Sequence, residues 1–424
     1  IRVEGRVSGA MSYGEGLVHK NKFIKLPGDK DGSSFLGECA GSGKNPYYVS
    51  VGFIDAASPV PRCNCPSRKF PCKHAVGLML AYADGRDFSV AEIPADVLSK
   101  REKIEKRSQK KEAEVKEALT KVKEPKAVKD SPKKDKPKKL SAAQEKKLNI
   151  QIDGLNIAES LLSSIIRDGL GSVTEGTIIE FEKQAKQMGD YYLTGVQKQF
   201  LDFAAVLGMK DKEEMYSAAY EKAVFLHALL KKGKDYLSAK LADPTLLDMD
   251  SEIEALLGNV WKSKDLLDAG LAEADVQYLQ LAFTVAENAV IKETDEKGYW
   301  INLNNGELVC TRNIIPKKAS KHINTTDSVY GVHNIPVVYR YPGTLNRRVR
   351  WDAQTISEAD AEIYSKIISL APEDLAAVIK EVKNHIKNPL AGKNPVMLVK
   401  YKAIGIVEEA YVLEDTSGNR IALE

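Results

Sequence analysis

The sequence predicts an α+β multidomain protein: a small β-rich N-terminal module, a central all-α region and a C-terminal α+β domain. Three observations predict it. Strand-like runs and Gly-rich turns surround a Cys/His cluster before residue 100, apolar residues take a 3.6-residue period after residue 147, and strand-like runs return after residue 294. At 424 residues the chain has room for two to four cores. The expected domains are 1–99, a Lys-rich linker at 100–147, a helical domain at 148–294 and an α+β domain at 295–424.

In the first module Phe23 to Leu26 and Tyr47 to Phe53 read as strands, from alternation and from β-branched and aromatic content. Pro71 to Tyr82 reads as a helix, with the apolar run Ala75, Val76, Leu78, Met79 and Leu80, and Gly85 just past its end. Between strand and helix lies Cys63-x-Cys65, six residues, then Cys72-x-His74. Three thiolates and an imidazole make a donor set suited to one tetrahedral Zn²⁺. The first pair is expected on a turn after a strand, and Cys72 and His74 at a helix N-terminus. Four protein ligands close the coordination shell, so this zinc is expected to be structural, its binding energy serving as folding energy for the module. Cys39 reads as a small buried side chain, with a fifth zinc-competent or redox thiol as the alternative. Gly37 to Lys44 imitates a phosphate loop but lacks the required Gly before Lys44 and the hydroxyl after it, and it reads as a turn between strands.

The segment 100–147 is poor in aromatics and carries 19 Lys/Arg against 9 Asp/Glu, which leaves the rest of this +3 chain net acidic. Arg101 to Lys123 reads as a charged helix, and Pro125, Pro132 and Pro137 end it in a solvated spacer. Next come the stripes Leu155, Ala158, Leu161, Leu162, Ile165, Ile166; Ile178, Phe181, Ala185, Met188; and Val196, Phe200, Phe203, Ala204, Leu207. Further helices are expected at Tyr216 to Leu230, Ile253 to Trp261 and Val276 to Val290, punctuated by Gly208, Gly233, Pro244 and Gly270. His227, inside an apolar run, reads as a packed core histidine.

In the last domain Tyr299 to Leu303 with Asn304-Asn305-Gly306 is a strand and turn. Val337 to Tyr341, Val396 to Tyr401 and Ala410 to Leu413 read as strands, and a turn at Thr416 to Asn419 leads into a last one. Ser357 to Leu370 and Pro372 to Ile386 read as helices, the second with Pro at its start.

The bulk properties narrow the function. Five cysteines, three of them clustered, argue against a disulfide framework and for a reducing compartment, and a cytoplasmic location is expected. No apolar run approaches the ~18 residues of a membrane span. Ile1 to Gly5 shows no signal-peptide pattern, and without an initiator Met a removed leader stays open. No nucleophile pattern of Ser/His/Asp or Cys/His type stands out, so the chain is expected not to be an enzyme. Glu213-Glu214 and Glu408-Glu409 read as solvated faces. Arg62, Arg68, Lys69 and Lys73 either balance the −1 charge of a three-thiolate zinc core or form a patch for nucleic acid or an acidic partner. Tyr339-Arg340-Tyr341 and Arg347-Arg348-x-Arg350-Trp351 suit base stacking or capture of acidic groups, but more simply a strand pair with Arg stacked on rings.

The spacing Cys63-x-Cys65-x₆-Cys72-x-His74 resembles the SWIM-type zinc finger. Such fingers also occur in Mutator-like transposases, chromatin remodellers, ubiquitin-ligase components and recombination factors, where they serve protein or DNA contacts. The likeness extends to bacterial SWIM zinc-finger proteins of about this length through Gly37 to Tyr47, Cys65 to Ala75, Ile253 to Gly258 with Trp261, and Tyr341 to Trp351. The Lys-rich linker departs from that pattern. Members are often encoded beside MoxR-type AAA+ ATPases and von Willebrand factor A proteins. The resemblance therefore implies a zinc-binding accessory or adaptor making protein–protein contacts, with a MoxR-type ATPase or von Willebrand factor A protein as partner. A DNA- or RNA-binding protein using the finger and the basic linker is the alternative.

Overall fold

The computed structural model describes residues 8–423 apart from 30, 31, 33, 42–44, 53–58, 68–70, 92–94, 124–139, 289–292 and 318–327. The chain is mixed α+β, as expected, and divides into two compact units, 1–114 and 115–424. Among the described residues no helix is long and apolar enough to cross a membrane.

The first unit opens with α1 (Ser8–His19), then β1 (Phe23–Lys25), β2 (Pro27–Gly28), β3 (Ser34–Cys39), β4 (Tyr47–Gly52), β5 (Val60–Cys63), α2 (Lys73–Ala83) and β6 (Ser89–Val90). The sheet runs β5-β4-β3-β2-β6, with β1 also on β3. Pairing is antiparallel except between β2 and β6. Helix α2 is buried along Ala75, Val76, Leu78 and Met79 against Val49 and Val51. The connection between strands expected over Gly37 to Lys44 begins only after Cys39, before Tyr47 opens β4, and Gly37 itself lies inside β3. A Cβ there would come within 3.0 Å of Leu78 and Phe23, so glycine admits α2 and β1 to the sheet. Gly14 does the same between helices, where a Cβ would stand 3.0 Å from the Gly77 nitrogen.

Helix α3 (Ala95–Lys123) begins in the first unit and ends in the second. It covers the charged half of the predicted linker. The Pro-rich spacer falls within 124–139, outside the described residues. In the second unit α4 (Ala142–Asp168), α5 (Glu175–Gln187), α6 (Thr194–Leu207) and α7 (Lys212–Ala242) follow. Ser141 and Gln144 form a capping box on α4: the Gln144 N–H donates to Ser141 Oγ (3.3 Å) and the Ser141 N–H to Gln144 Oε1 (3.0 Å). The three predicted stripes meet in one core around Leu155, Phe181, Phe200, Phe203 and Leu229.

Two expectations fail in α7. Gly233 does not break the helix. A Cβ on it would stand 3.0 Å from Leu257 and 3.2 Å from Leu155, so glycine lets neighbouring helices approach. His227 is exposed, because the buried face of α7 runs through Leu226, Leu229, Leu230 and Leu237.

Two short helices, α8 (Ile253–Leu257) and α9 (Ser263–Asp268), lead into β7 (Ala272–Asn288), β8 (Glu293–Asn302), β9 (Leu308–Pro316), β10 (Val332–Arg340), β11 (Val349–Arg350) and β12 (Thr355–Ser357). The sheet order is β11-β10-β7-β8-β9, with β12 on β10. The expected helix at Val276 to Val290 is thus corrected to a long central strand. A register shift between Gln280 and Ala282 swaps the face on which the apolar residues sit, so strict alternation disappears from the sequence.

Helices α10 (Ala361–Leu370) and α11 (Leu375–Ile386) start later than predicted, each behind an aspartate cap, Asp360 and Asp374. The predicted strand at Val396 to Tyr401 is irregular chain. Asn346 takes its place as hydrogen-bond partner, accepting from the Val396 N–H (2.6 Å) and donating to the Val396 carbonyl (2.9 Å). The chain ends in the meander β13 (Ala403–Val407), β14 (Ala410–Glu414) and β15 (Arg420–Leu423). Glu408 and Glu409, both at positive φ, form its first turn.

Candidate metal centre

Each ligand position has a local cause. Cys63 is the last residue of β5, held opposite Val49 in the ladder. Asn64 then fastens the turn to β4: its side-chain oxygen accepts from the Tyr48 N–H (2.9 Å), and its own N–H donates to the Tyr48 carbonyl (3.2 Å). This clip presents Cys63 and Cys65 on one bend. Cys72 is the N-cap of α2, in extended conformation, and His74 lies in the first turn. Cys72 and His74 are buried, while Cys63 and Cys65 are half-buried. The Tyr47 ring packs on the His74 imidazole with centroids 4.7 Å apart.

The four donor atoms of Cys63, Cys65, Cys72 and His74 all lie within 4.8 Å of one another. His74 turns Nδ1 toward the sulfurs, 3.8 Å from Cys63 Sγ and 4.0 Å from Cys72 Sγ. A tetrahedron with Zn–S ~2.3 Å and Zn–N ~2.0 Å has edges of roughly 3.5–3.8 Å, so one Zn²⁺ fits with little movement. The residues also prepare the charge. The Cys63 thiol bonded to it, together with the helix N–H groups of Ala75 and His74, outweighs burial and holds Cys72 down to about 4. The same bond, with burial, pushes Cys63 up. Within this pair the thiolate is thus favoured on Cys72, and a bound Zn²⁺ would be held by cysteines as thiolates.

Residues 57–83 match the family model of the SWIM zinc finger. This segment is a SWIM zinc finger. No curated protein and no solved structure matches the chain. The geometry of the SWIM finger is consistent with one structural Zn²⁺, with Cys39 outside the donor cluster. Cys39 is fully buried, and burial pushes its thiol up.

Of the cations expected around the finger, Arg68 and Lys69 lie outside the described residues, and Lys73 is exposed on the first turn of α2. The C-terminal arginines are mostly committed to carboxylates: Arg340 to Glu273 (2.8 Å) and Glu307, Arg347 to Glu307 (3.8 Å), and Arg350 to Asp352 (2.8 Å).

Sequence reasoning missed Asn64 and Tyr47. Asn between two cysteines was the available signal, since its short amide bonds readily to nearby backbone. Asn64→Ala leaves all four ligands and is expected to weaken zinc binding about tenfold, as loss of ligand-orienting hydrogen bonds does. Competition with a chromophoric chelator measures this, and unchanged affinity would show that the β5 ladder alone orients the cysteine pair.

Proposed function

We propose that the chain is a non-enzymatic zinc-binding adaptor whose SWIM finger presents a shaped surface to a partner protein. The closed donor set of three cysteines and one histidine supports this reading, because it leaves no coordination position for an activated water. A zinc of this kind contributes shape. Its binding energy orders the corner between β5 and α2, and the exposed side chains there become a rigid epitope. The partner class implied by the resemblance is a MoxR-type AAA+ ATPase or a von Willebrand factor A protein, in a cytoplasmic setting.

The test is affinity capture with the zinc-loaded chain against a Cys72→Ser variant, followed by reconstitution with the purified ATPase. Zinc-dependent recovery of such a partner is the expected result, and equal recovery by both chains would remove the finger from the interaction.

One observation favours a second reading. Lys73 is exposed beside the finger and makes no ion pair with a described residue, which suits a phosphate contact. Binding to duplex and single-stranded DNA across a salt series, with and without segment 100–147, decides this reading. A phosphate-driven interaction weakens steeply with salt and with loss of the segment. No binding at low salt ends the nucleic-acid reading.

A further inference from the structure

Within the second unit the first turn of α6, the α8 segment to Trp261 and the β9–β11 edge enclose a cleft of about 450 Å³. A neighbouring cleft of about 290 Å³ shares Ser251, Glu252, Arg312 and Arg348 with it. The floor is tight. A Cβ on Gly195 would stand 2.2 Å from the Leu256 carbonyl oxygen, and one on Gly258, at φ +112°, 2.4 Å from Thr194 Oγ1. Backbone therefore meets backbone where α6 crosses the end of α8, and the cleft is preformed.

Most charges around it neutralise one another. Arg312 makes two bonds of 2.8 Å to Asp295, Arg350 pairs with Asp352 (2.8 Å), and Lys198 with Glu293 (2.6 Å). Asp248 binds Lys232 (2.9 Å), and Glu254 binds Lys240 and Tyr236. Two residues shared by both clefts remain outside these pairs. Arg348 makes no ion pair with a described residue, and its Nε is buried without a hydrogen-bond partner. Its guanidinium lies over the Tyr341 ring at 4.5 Å. Glu252, exposed, makes no ion pair with a described residue within 4 Å, though its charge acts on Arg312. Arg347 Nε is also buried without a hydrogen-bond partner, but Arg347 has Glu307; on Arg348, stacking on the ring fixes the plane of the fork and leaves its terminal in-plane donors free.

We propose that this cleft binds a small ligand carrying a single carboxylate on an apolar body, with Arg348 as the carboxylate contact. The volume lies in the small-ligand range, and Trp261, Val260 and Tyr341 supply apolar wall. The planar fork of Arg348 matches a carboxylate bidentately. Glu252 sets the charge limit: its carboxylate, which also acts on Arg312, opposes added negative charge, so a ligand with a single carboxylate on Arg348 is favoured over a dianion. The cleft lies wholly within the second unit, so this proposal stands apart from the adaptor reading of the zinc module.

Calorimetric titration of the full chain tests it with 4-phenylbutyrate, neutral 4-phenylbutanol, phenyl phosphate, and an acetylated tripeptide with a free or amidated C-terminal phenylalanine. Saturable binding of 4-phenylbutyrate or of the free-acid tripeptide is expected, and the tighter of the two tells a small acid from a chain terminus as the source. The alcohol and the amide should bind at least about tenfold more weakly. Arg348→Leu should lose about tenfold or more, and Arg348→Lys should fall between. Glu252→Gln, on an exposed residue, should tighten carboxylate binding several-fold, an effect that misfolding cannot produce. The proposal is overturned if no carboxylate binds up to about 10 mM, if phenyl phosphate binds tighter than the carboxylates, or if Glu252→Gln changes nothing.

Discussion

Removing zinc, by chelation or by Cys63→Ser with Cys72→Ser, is expected to unfold the first unit while the second keeps its own transition. Structural zinc in small modules contributes on the order of 10–16 kcal/mol at neutral pH, whereas whole domains are stable by about 5–15 kcal/mol. The apolar core here is modest: Val49, Val51, Ala75, Val76, Leu78 and Met79, with Cys72 itself a member. Without the metal, the β5–α2 corner would hold two half-buried thiols and a buried thiol and imidazole in one small space. With so few apolar side chains in this core, the metal term is expected to decide. Hydrogen exchange read by mass spectrometry is the check: β3, β4 and α2 should lose protection together on chelation, while α4 to α7 should keep theirs. Equal protection of α2 with and without zinc would mean that the apolar core suffices.

Phe200→Ala is expected to cost the second unit about 3–5 kcal/mol. Phe200 is fully buried. Its ring stacks on Phe181 with centroids 5.7 Å apart, and Phe181 meets Phe203 edge-on at 5.8 Å. Truncation opens a cavity among helices pinned by Gly154 and Gly233, where a Cβ would already contact neighbouring side chains, so collapse into the space is limited. Phe200→Leu keeps most of the volume and should cost only about 1–1.5 kcal/mol. Urea unfolding followed by far-ultraviolet circular dichroism measures both. A cost under ~1 kcal/mol for the alanine variant would show that α5 and α6 close the gap.

The zinc site was legible in the sequence because its ligands are local. Twelve consecutive residues hold all four donors, and the strand-turn-helix that positions them spans little more. The helices α4 to α7 were legible for a related reason, since an apolar stripe and a cap are both near-neighbour patterns. What escaped the sequence depends on distant partners. The bulge in β7 breaks alternation only when β8 lies beside it. The strand β13 is hidden because its turn is Glu408-Glu409 at positive φ in place of the Asn-Gly signal. The segment Val396 to Tyr401 has strand composition, but Asn346 takes both backbone groups of Val396 and the Lys400 N–H donates to the Pro372 carbonyl, so no strand ladder forms.

The arginine-rich stretch shows the same limit. From sequence, Arg340, Arg347, Arg348 and Arg350 look alike. The fold gives the first two Glu307 and the last Asp352, and leaves Arg348 on Tyr341, lining two clefts. Which cation is available for a ligand follows from where β8, β9 and β10 place their acids, and that information is spread over tens of residues.

X-ray absorption at the zinc edge of the purified full chain decides whether the corner between β5 and α2 is a four-ligand zinc site. About one zinc per chain is expected, with three sulfur neighbours at ~2.3 Å and one nitrogen at ~2.0 Å. A chain that folds stably without zinc, or a zinc with an oxygen neighbour in place of one of the four protein donors, would contradict it.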